Sequence, residues 1–272
     1  MPELPEVETI KRGLNDFLPG LMIQEMEVIF PGVIKNESPE NFRLRLLGDR
    51  FLCIDRRGKY LLIYMASDQV IVIHLRMTGN LYHTNPERPR EKHLHLVVHL
   101  DNNEELRFAD QRKFGEIYLI IAPQLSSFPP IRKLGVEPLS SAFTVALLEN
   151  MLKSSKKPIK QFLLDQQKIA GIGNIYADEA LFLARVLPDR KASSLTSGET
   201  RRLRRAIRVV LSMSIEAQGR TFSNYRNAEG EAGDYQPLIH DENKKICPVC
   251  GGLIERSKIS HRGTYYCPRC QK

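Results

Sequence analysis

The spacing of apolar residues changes character near residue 130. Upstream, segments 60–65, 70–75, 94–100 and 117–121 are β-branched or alternate apolar with polar positions, and Gly, Asn and Asp separate them. That pattern predicts strands. Residues 101–103 read Asp-Asn-Asn, a hairpin turn. Val7, Ile10 and Leu14 fall at helical spacing, so a helix opens the chain and Pro19-Gly20 ends it. Short turns between many strands imply a sandwich or barrel.

Downstream, segment 125–141 carries Ser126, Ser127, Pro129, Pro130 and Pro138 and suits a linker. Helical spacing follows over 143–152 and 159–167. Gly171-Ile-Gly173 interrupts it, and Asn174 can cap a helix running to about residue 184. A longer helix over 196–217 places Leu203, Ile207, Val210 and Ser214 on one face. Arg201, Arg202, Arg204, Arg205 and Arg208 occupy the other, which reads as a solvated face. Segment 220–245 is polar, with Gly230 and Gly233, and reads as a mobile loop. The expected class is α+β: an N-terminal β-sandwich with a leading helix, then a helical part.

Composition narrows the function. The chain has 272 residues, and 42% are hydrophobic, enough for a packed core. No apolar run reaches the ~18 residues of a membrane span. Glu3, Glu6 and Glu8 exclude a secretory h-region at the start. Lys and Arg number 40 against 32 Asp and Glu, a net charge of +8. That excess suits a polyanionic partner, and equally suits mere solubility.

Four of the five cysteines crowd into two knuckles, Cys247-Pro-Val-Cys250 and Cys267-Pro-Arg-Cys270, with 16 residues between them. The spacing is that of a four-cysteine zinc site. Each knuckle turns two thiolates to one side, and two knuckles complete a tetrahedron with no open position, so one structural Zn²⁺ is expected. Between them, 253–259 and 264–266 can pair as a hairpin, with 260–263 at its turn and Arg262 at the tip. Cys53 stands alone in an apolar stretch and is expected to be buried.

The first residues carry unusual chemistry. Removal of Met1 would free the secondary amine of Pro2. An α-amino group titrates near ~8, against ~10.4 for lysine, so more of it is neutral and nucleophilic at pH 7. Its attack on a sugar C1′ gives a cationic iminium that acidifies the neighbouring carbon, and Glu3 stands beside it to move protons. Read as physics alone, Pro-Glu-Leu-Pro starts a helix with acids near its positive end.

Met1-Pro-Glu-Leu-Pro-Glu-Val-Glu-Thr9 resembles the start of the formamidopyrimidine-DNA glycosylases. Arg56-Arg-Gly-Lys-Tyr-Leu61, His74-Leu-Arg-Met-Thr-Gly79, Glu91-Lys-His93, Asp110-Gln-Arg-Lys-Phe-Gly115, Gly135-Val-Glu-Pro138 and Ala170 to Glu179 are similar to that family's blocks, as is the cysteine finger. The resemblance implies a bifunctional glycosylase and abasic-site lyase of base excision repair, acting on oxidised purines in duplex DNA. It implies Pro2 as Schiff-base nucleophile, Glu3 as general acid and base, and Glu6 beside the damaged base. Lys59 and Arg262 would grip the lesion phosphates. His74, His93, Lys160, Gly173 and Asn174 would join the DNA-binding set. Met77, Arg112 and Phe114 would fill the gap left by the flipped base.

The implied organisation is a catalytic β-sandwich over 1–130 and a linker over 131–141. A helix–two-turn–helix domain over 142–219, a lesion-recognition loop over 220–245 and a zinc finger over 246–272 would follow. The expected partner is double-stranded DNA with oxidised bases or abasic sites, bound by a monomer in a bacterial cytoplasm, at the nucleoid, with no membrane. Two other readings stay open: the same chemistry on oxidised pyrimidines, as in the endonuclease VIII branch, or a non-catalytic damaged-DNA-binding protein. The chain departs from the family at Arg220-Thr-Phe-Ser223 and over Leu238 to Lys245, where Tyr-Gly-Arg is missing.

Overall fold

The computed structural model describes residues 2–220 and 226–272. Met1 and residues 221–225 of the expected lesion-recognition loop lie outside the described residues. The chain divides into two units, Met1–Arg132 with Ile215–Tyr235, and Lys133–Ser214 with Gln236–Lys272.

In the first unit the opening periodicity forms helix α1 (Leu4–Phe17). Strand β1 (Ile23–Val28) and helix α2 (Pro39–Leu46) follow. Then come β2 (Phe51–Arg57), β3 (Tyr60–Met65), β4 (Gln69–His74), β5 (Gly79–Thr84), β6 (Leu94–Leu100), β7 (Glu105–Asp110) and β8 (Glu116–Ile121), with a short helix α3 (Pro129–Arg132) after them. Two four-stranded antiparallel sheets result, in the orders β1-β6-β7-β5 and β2-β3-β4-β8. Their inner faces and the buried stripe of α1 share one core, with Val7, Ile10, Leu14, Leu61, Ile63, Leu81 and Phe108 within it. The β6–β7 turn forms at the expected residues, and Asn103 takes the left-handed conformation there at φ 62°.

The second sheet is also covered outside. Leu62, Val70, Val72 and Ile120 pack beneath Leu125, Phe128 and Ile131. Burial on both faces explains why β3 and β4 read as continuous apolar runs. Four strands, β1, β2, β5 and β7, and helix α2 escaped the sequence pattern. In β7 the cause is charge. Arg107 is fully buried, its Nε donates to Glu105 Oε2 at 2.6 Å, and its remaining nitrogens donate to the carbonyls of Arg88 and Pro86. The expectation for Cys53 is overturned: it is exposed. A bulge between Phe51 and Cys53 turns Leu52 and Cys53 outward in succession.

In the second unit, Thr144 caps helix α4 (Val145–Lys153) by accepting from the Leu147 N–H. Helices α5 (Ile159–Leu164), α6 (Asn174–Ala184) and α7 (Ser197–Glu216) follow, then β9 (Glu255–Ile259) and β10 (Arg262–Tyr266), which pair antiparallel. The cap of α6 is Gly173 rather than Asn174, which is the first helical residue. Leu203, Ile207, Val210 and Ser214 are all buried, and Ser214 Oγ pairs with Tyr176 Oη at 2.6 Å. The arginine face is partly structural. Arg202, Arg204 and Arg208 donate to the carbonyls of Ala184, Phe143, Pro138 and Ser140, while Arg201 and Arg205 are exposed.

The described part of segment 220–245 is well bonded. Arg226 N–H donates to Asn80 Oδ1, His83 N–H donates to Ala228 O, and Ala228 enters the sandwich core.

Candidate active site and zinc centre

The start of α1 is built from two buried carboxylates. Pro2 is buried, and Glu3 and Glu6 are each 2% exposed. Glu3 is the N-cap: its side chain accepts from the Glu6 N–H, and Glu6 Oε2 accepts from the Glu3 N–H at 2.7 Å. Such a reciprocal cap satisfies two otherwise orphaned donors. Glu6 Oε1 accepts from the Arg220 N–H at 3.0 Å. Pro2 therefore stands beside a carboxylate whose position the helix start fixes.

Lys59 lies on the β2–β3 turn, after Gly58 at φ 59°, and is 6% exposed. His74 ends β4 opposite Tyr60. The Arg76 N–H donates to His74 Nδ1 at 2.9 Å, which assigns the ring proton of neutral His74 to Nε2. Burial, then the charges of Arg76 and Lys59, hold the pKa of His74 down at about 3. His74 is thus a neutral donor at physiological pH.

This depression fixes a pH dependence. Unfolded His74 takes up a proton near 6.5, while the folded protein resists until about 3. Stability from this group is complete above pH ~6.5 and falls as pH drops toward 3, by up to about 1.4 kcal/mol per unit. His74→Gln flattens the stability curve between pH 6.5 and 4, as read from urea midpoints. An unchanged slope refutes the assignment.

A third group ties two loops together. Asp110 accepts from the Thr78 hydroxyl, from the Arg112 N–H at 3.2 Å and from the Gly115 N–H at 2.7 Å. The Arg112 N–H also reaches Thr78 Oγ1 at 3.0 Å. This arrangement presents Met77 and Phe114 outward, 36% and 51% exposed, with the Arg112 guanidinium 4.8 Å from the Phe114 ring centre. Neither apolar side chain is in the core. His93 is half-buried and, with Glu91, Asn80, Gln111 and Arg226, lines a polar cavity of about 300 Å³.

The remaining candidates lie in the second unit. Lys160 is fully buried, and its Nζ lies 2.7 Å from Asp178 Oδ1 and donates to Gly263 O at 2.8 Å and Thr264 Oγ1 at 2.9 Å. Asn174 Nδ2 donates to the same Gly263 oxygen at 2.9 Å. Asp178 Oδ2 also accepts from the Tyr265 N–H and contacts His240 Nδ1 at 2.7 Å. Glu179 collects the N–H groups of Leu238, Ile239 and His240. The divergent 238–240 segment is therefore anchored by helix α6. Gly171 takes φ 87°, which favours glycine, whereas Gly173 is extended at φ −124°.

Lys160→Met strands Asp178 without its buried cation and costs about 3–5 kcal/mol. The double variant Lys160→Met/Asp178→Asn recovers most of that loss, measured by denaturant unfolding. Equal destabilisation of the single and double variants would sink the pairing.

The hairpin is tighter than expected. Its turn is the two residues Ser260 and His261, at φ 49° and 62°, the primed geometry that matches strand twist. Arg262 is consequently the first residue of β10, opposite Ile259, and not at the tip. The four cysteine sulfurs lie within 4.8 Å of one another. Cys250–Cys267 and Cys247–Cys270 sulfur distances are 3.5 and 3.8 Å. Zn–S bonds of ~2.3 Å in a tetrahedron demand sulfur edges of ~3.8 Å, so the residues fit one Zn²⁺.

The candidates thus form two groups. Pro2, Glu3, Glu6, Lys59, His74, Met77, His93, Arg112 and Phe114 lie in the first unit, and Lys160, Gly173, Asn174, Arg262 and the cysteines in the second. Sequence reasoning passed over Asp110, Asp178, Glu179 and His240. The available signal was a pair of acids inside the otherwise apolar α6.

Residues 1–117 match the formamidopyrimidine-DNA glycosylase N-terminal domain, 134–226 its H2TH domain, and 245–272 the zinc finger found in FPG and IleRS. A formamidopyrimidine-DNA glycosylase of Symbiobacterium thermophilum is 48% identical over all of this chain and 89% of its own length. One from Pelotomaculum thermopropionicum is 44% identical over 100% and 99%. The Lactococcus lactis Fpg in complex with abasic-site DNA superposes with a TM-score of 0.92 at 34% identity, covering 99% of both chains. The wild-type Lactococcus lactis Fpg with DNA containing N7-benzyl-Fapy-dG gives 0.92 at 36%, covering 100% of both. Matched in all three segments, and by relatives along its whole length, the chain belongs to the formamidopyrimidine-DNA glycosylase family.

Proposed function

We propose that the chain is a DNA glycosylase of base excision repair that removes oxidised purines, 8-oxoguanine and formamidopyrimidines, from duplex DNA and then cuts the abasic site. The observation that carries this reading is the start of α1, where Pro2 is buried beside the fixed carboxylates of Glu3 and Glu6. With Met1 removed, the Pro2 nitrogen attacks C1′, the glycosidic bond breaks, and the base departs with a proton. The C1′–O4′ bond then breaks, O4′ takes a proton and leaves as a hydroxyl, and the iminium so formed between Pro2 and C1′ acidifies C2′. Loss of that proton expels the 3′ oxygen, a second elimination expels the 5′ oxygen, and water releases Pro2. Glu3 shuttles these protons in this reading, which its fixed position next to Pro2 supports.

The other residues act on the backbone and the gap. Lys59 and Arg262 supply charge to the lesion phosphates, and His74 supplies an uncharged N–H. His93, Gly173 and Asn174 complete the DNA-binding set, the last two through N–H groups at the start of α6; Lys160, expected in that set, is fully buried and serves it indirectly by holding the Gly263 carbonyl next to Arg262. Met77, Arg112 and Phe114 enter the space of the extruded base. The zinc finger holds the β9–β10 hairpin and performs no chemistry. The enzyme works as a cytoplasmic monomer on DNA, and its affinity falls with salt.

The test is a panel of duplexes carrying 8-oxoguanine, formamidopyrimidine, an oxidised pyrimidine or an abasic site. The expected product is a one-nucleotide gap with phosphate on both ends, fastest for the purine lesions. Intact strands throughout would defeat the proposal. A second reading, oxidised pyrimidines, is favoured by one observation: a Lactococcus lactis Fpg complex contains oxidised-pyrimidine DNA. The same panel separates the two.

A further inference from the structure

Helix α6 ends on an arginine in the left-handed region. Its C-cap Arg185 takes φ 59° and ψ 41°, a conformation that glycine or asparagine adopts more readily. Arg185 lines a cavity of about 610 Å³ together with Arg202, Arg269 and Lys272. None of these four side chains makes an ion pair with a side-chain carboxylate among the described residues. One has a structural role, since Arg202 Nε donates to Ala184 O at 3.2 Å and so caps α6. The one acidic side chain on the cavity wall, Glu199, is already held by both terminal nitrogens of Arg190, at 2.5 and 3.1 Å.

Two further features shape the cavity. Gly252 leaves room for the Arg269 stem: a Cβ there would stand 2.8 Å from Arg269 Cδ. Leu183 and Val249 add apolar wall, 37% and 64% exposed. The cavity is not the metal centre, because only Cys270 of the four thiolates borders it. It is also distinct from the proposed phosphate contact at Asn174. That residue begins α6, and the eleven residues of the helix span about 16 Å.

We propose that this cavity is a second anion site that binds the phosphate of a nucleotide unit, with its sugar or base resting on Leu183 and Val249. Guanidinium forks suit phosphate oxygens. The volume exceeds what a lone phosphate fills. Arg205, exposed and three residues beyond Arg202 on α7, continues the positive surface along the helix. A strand of nucleic acid and a free phosphate compound share this chemistry. The site stands apart from the glycosylase reading, and undamaged single strand is its natural probe.

The test titrates the zinc-loaded full chain with a six-nucleotide thymidine strand and, separately, with inorganic pyrophosphate, following the amide resonances of Leu183, Arg185 and Val249. Saturable shifts at these residues are expected with the strand. Arg185→Gly, which relieves the left-handed backbone while deleting the cation, combined with Arg269→Gln, weakens that binding at least tenfold. Asn174→Ala leaves these three resonances responding as before. Shifts with pyrophosphate as strong as with the strand assign the site to free phosphate compounds. No saturable shift with either probe, or an unchanged response in the double variant with zinc still bound one to one, overturns the site.

Discussion

Pro2→Gly sharply reduces the borohydride-trapped complex with abasic-site DNA and lowers strand cleavage on the order of 100-fold or more. Two effects combine. The primary amine of glycine forms an imine that is cationic only while protonated, whereas the proline ring forms an iminium that carries its charge without a proton. Glycine also frees the backbone at a buried position directly before the Glu3 cap. Protein that retains Met1, as read by intact mass, behaves like the variant, because its Pro2 nitrogen is an amide. Wild-type trapping by either protein would remove Pro2 from the mechanism. Glu3→Gln separates the roles further, since it removes the proton shuttle while leaving the nucleophile.

Zinc removal has the second large effect. A structural four-thiolate zinc contributes roughly 10–16 kcal/mol to folding of its module, as much as the whole stability of an ordinary domain. Cys247 and Cys267 are 2% and 0% exposed and pack with Phe182, Ile239 and Tyr265. Chelation therefore unravels the β9–β10 hairpin and with it the Gly263 carbonyl that Lys160 and Asn174 hold. The expected readout is one zinc released per chain and loss of DNA cleavage. Exposed Cys53 provides an internal standard: one thiol reacts before chelation and five after it. Full cleavage by metal-free protein would show that the finger is dispensable.

Legibility in the sequence followed burial on one side or two. Strands β3, β4, β6 and β8 were plain because their apolar residues form runs. Strand β7 was hidden because Glu105, Arg107 and Asp110 are charged yet buried: Arg107 pairs with Glu105 and with the distant carbonyls of Arg88 and Pro86, and Asp110 accepts from the amides of the loop that follows it. Strand β2 was masked by its bulge, and that same bulge exposed Cys53 against expectation. The zinc ligands were readable from spacing alone, since their geometry is local. Only the resemblance singled out Met77 and Phe114, as residues to fill the gap of a flipped base; hydrophobicity alone would put both in the core, and both are exposed. The acids of α6 stand out locally, but their partners do not: Asp178 meets His240 and Tyr265, each more than sixty positions away.

The Glu179 and Lys160 contacts bear on the order in which the chain is made. Helices α5 and α6 emerge from the ribosome well before residues 238–240 and 263–264, which supply three of the amides around Glu179 and two of the acceptors around Lys160. Until then, these buried charges lack part of their solvation. At synthesis rates of roughly 5–20 residues per second, that interval lasts several seconds. The helical unit therefore reaches its native packing late, when the metal-binding hairpin arrives, and a nascent chain stalled short of that hairpin is a substrate for chaperones or proteases.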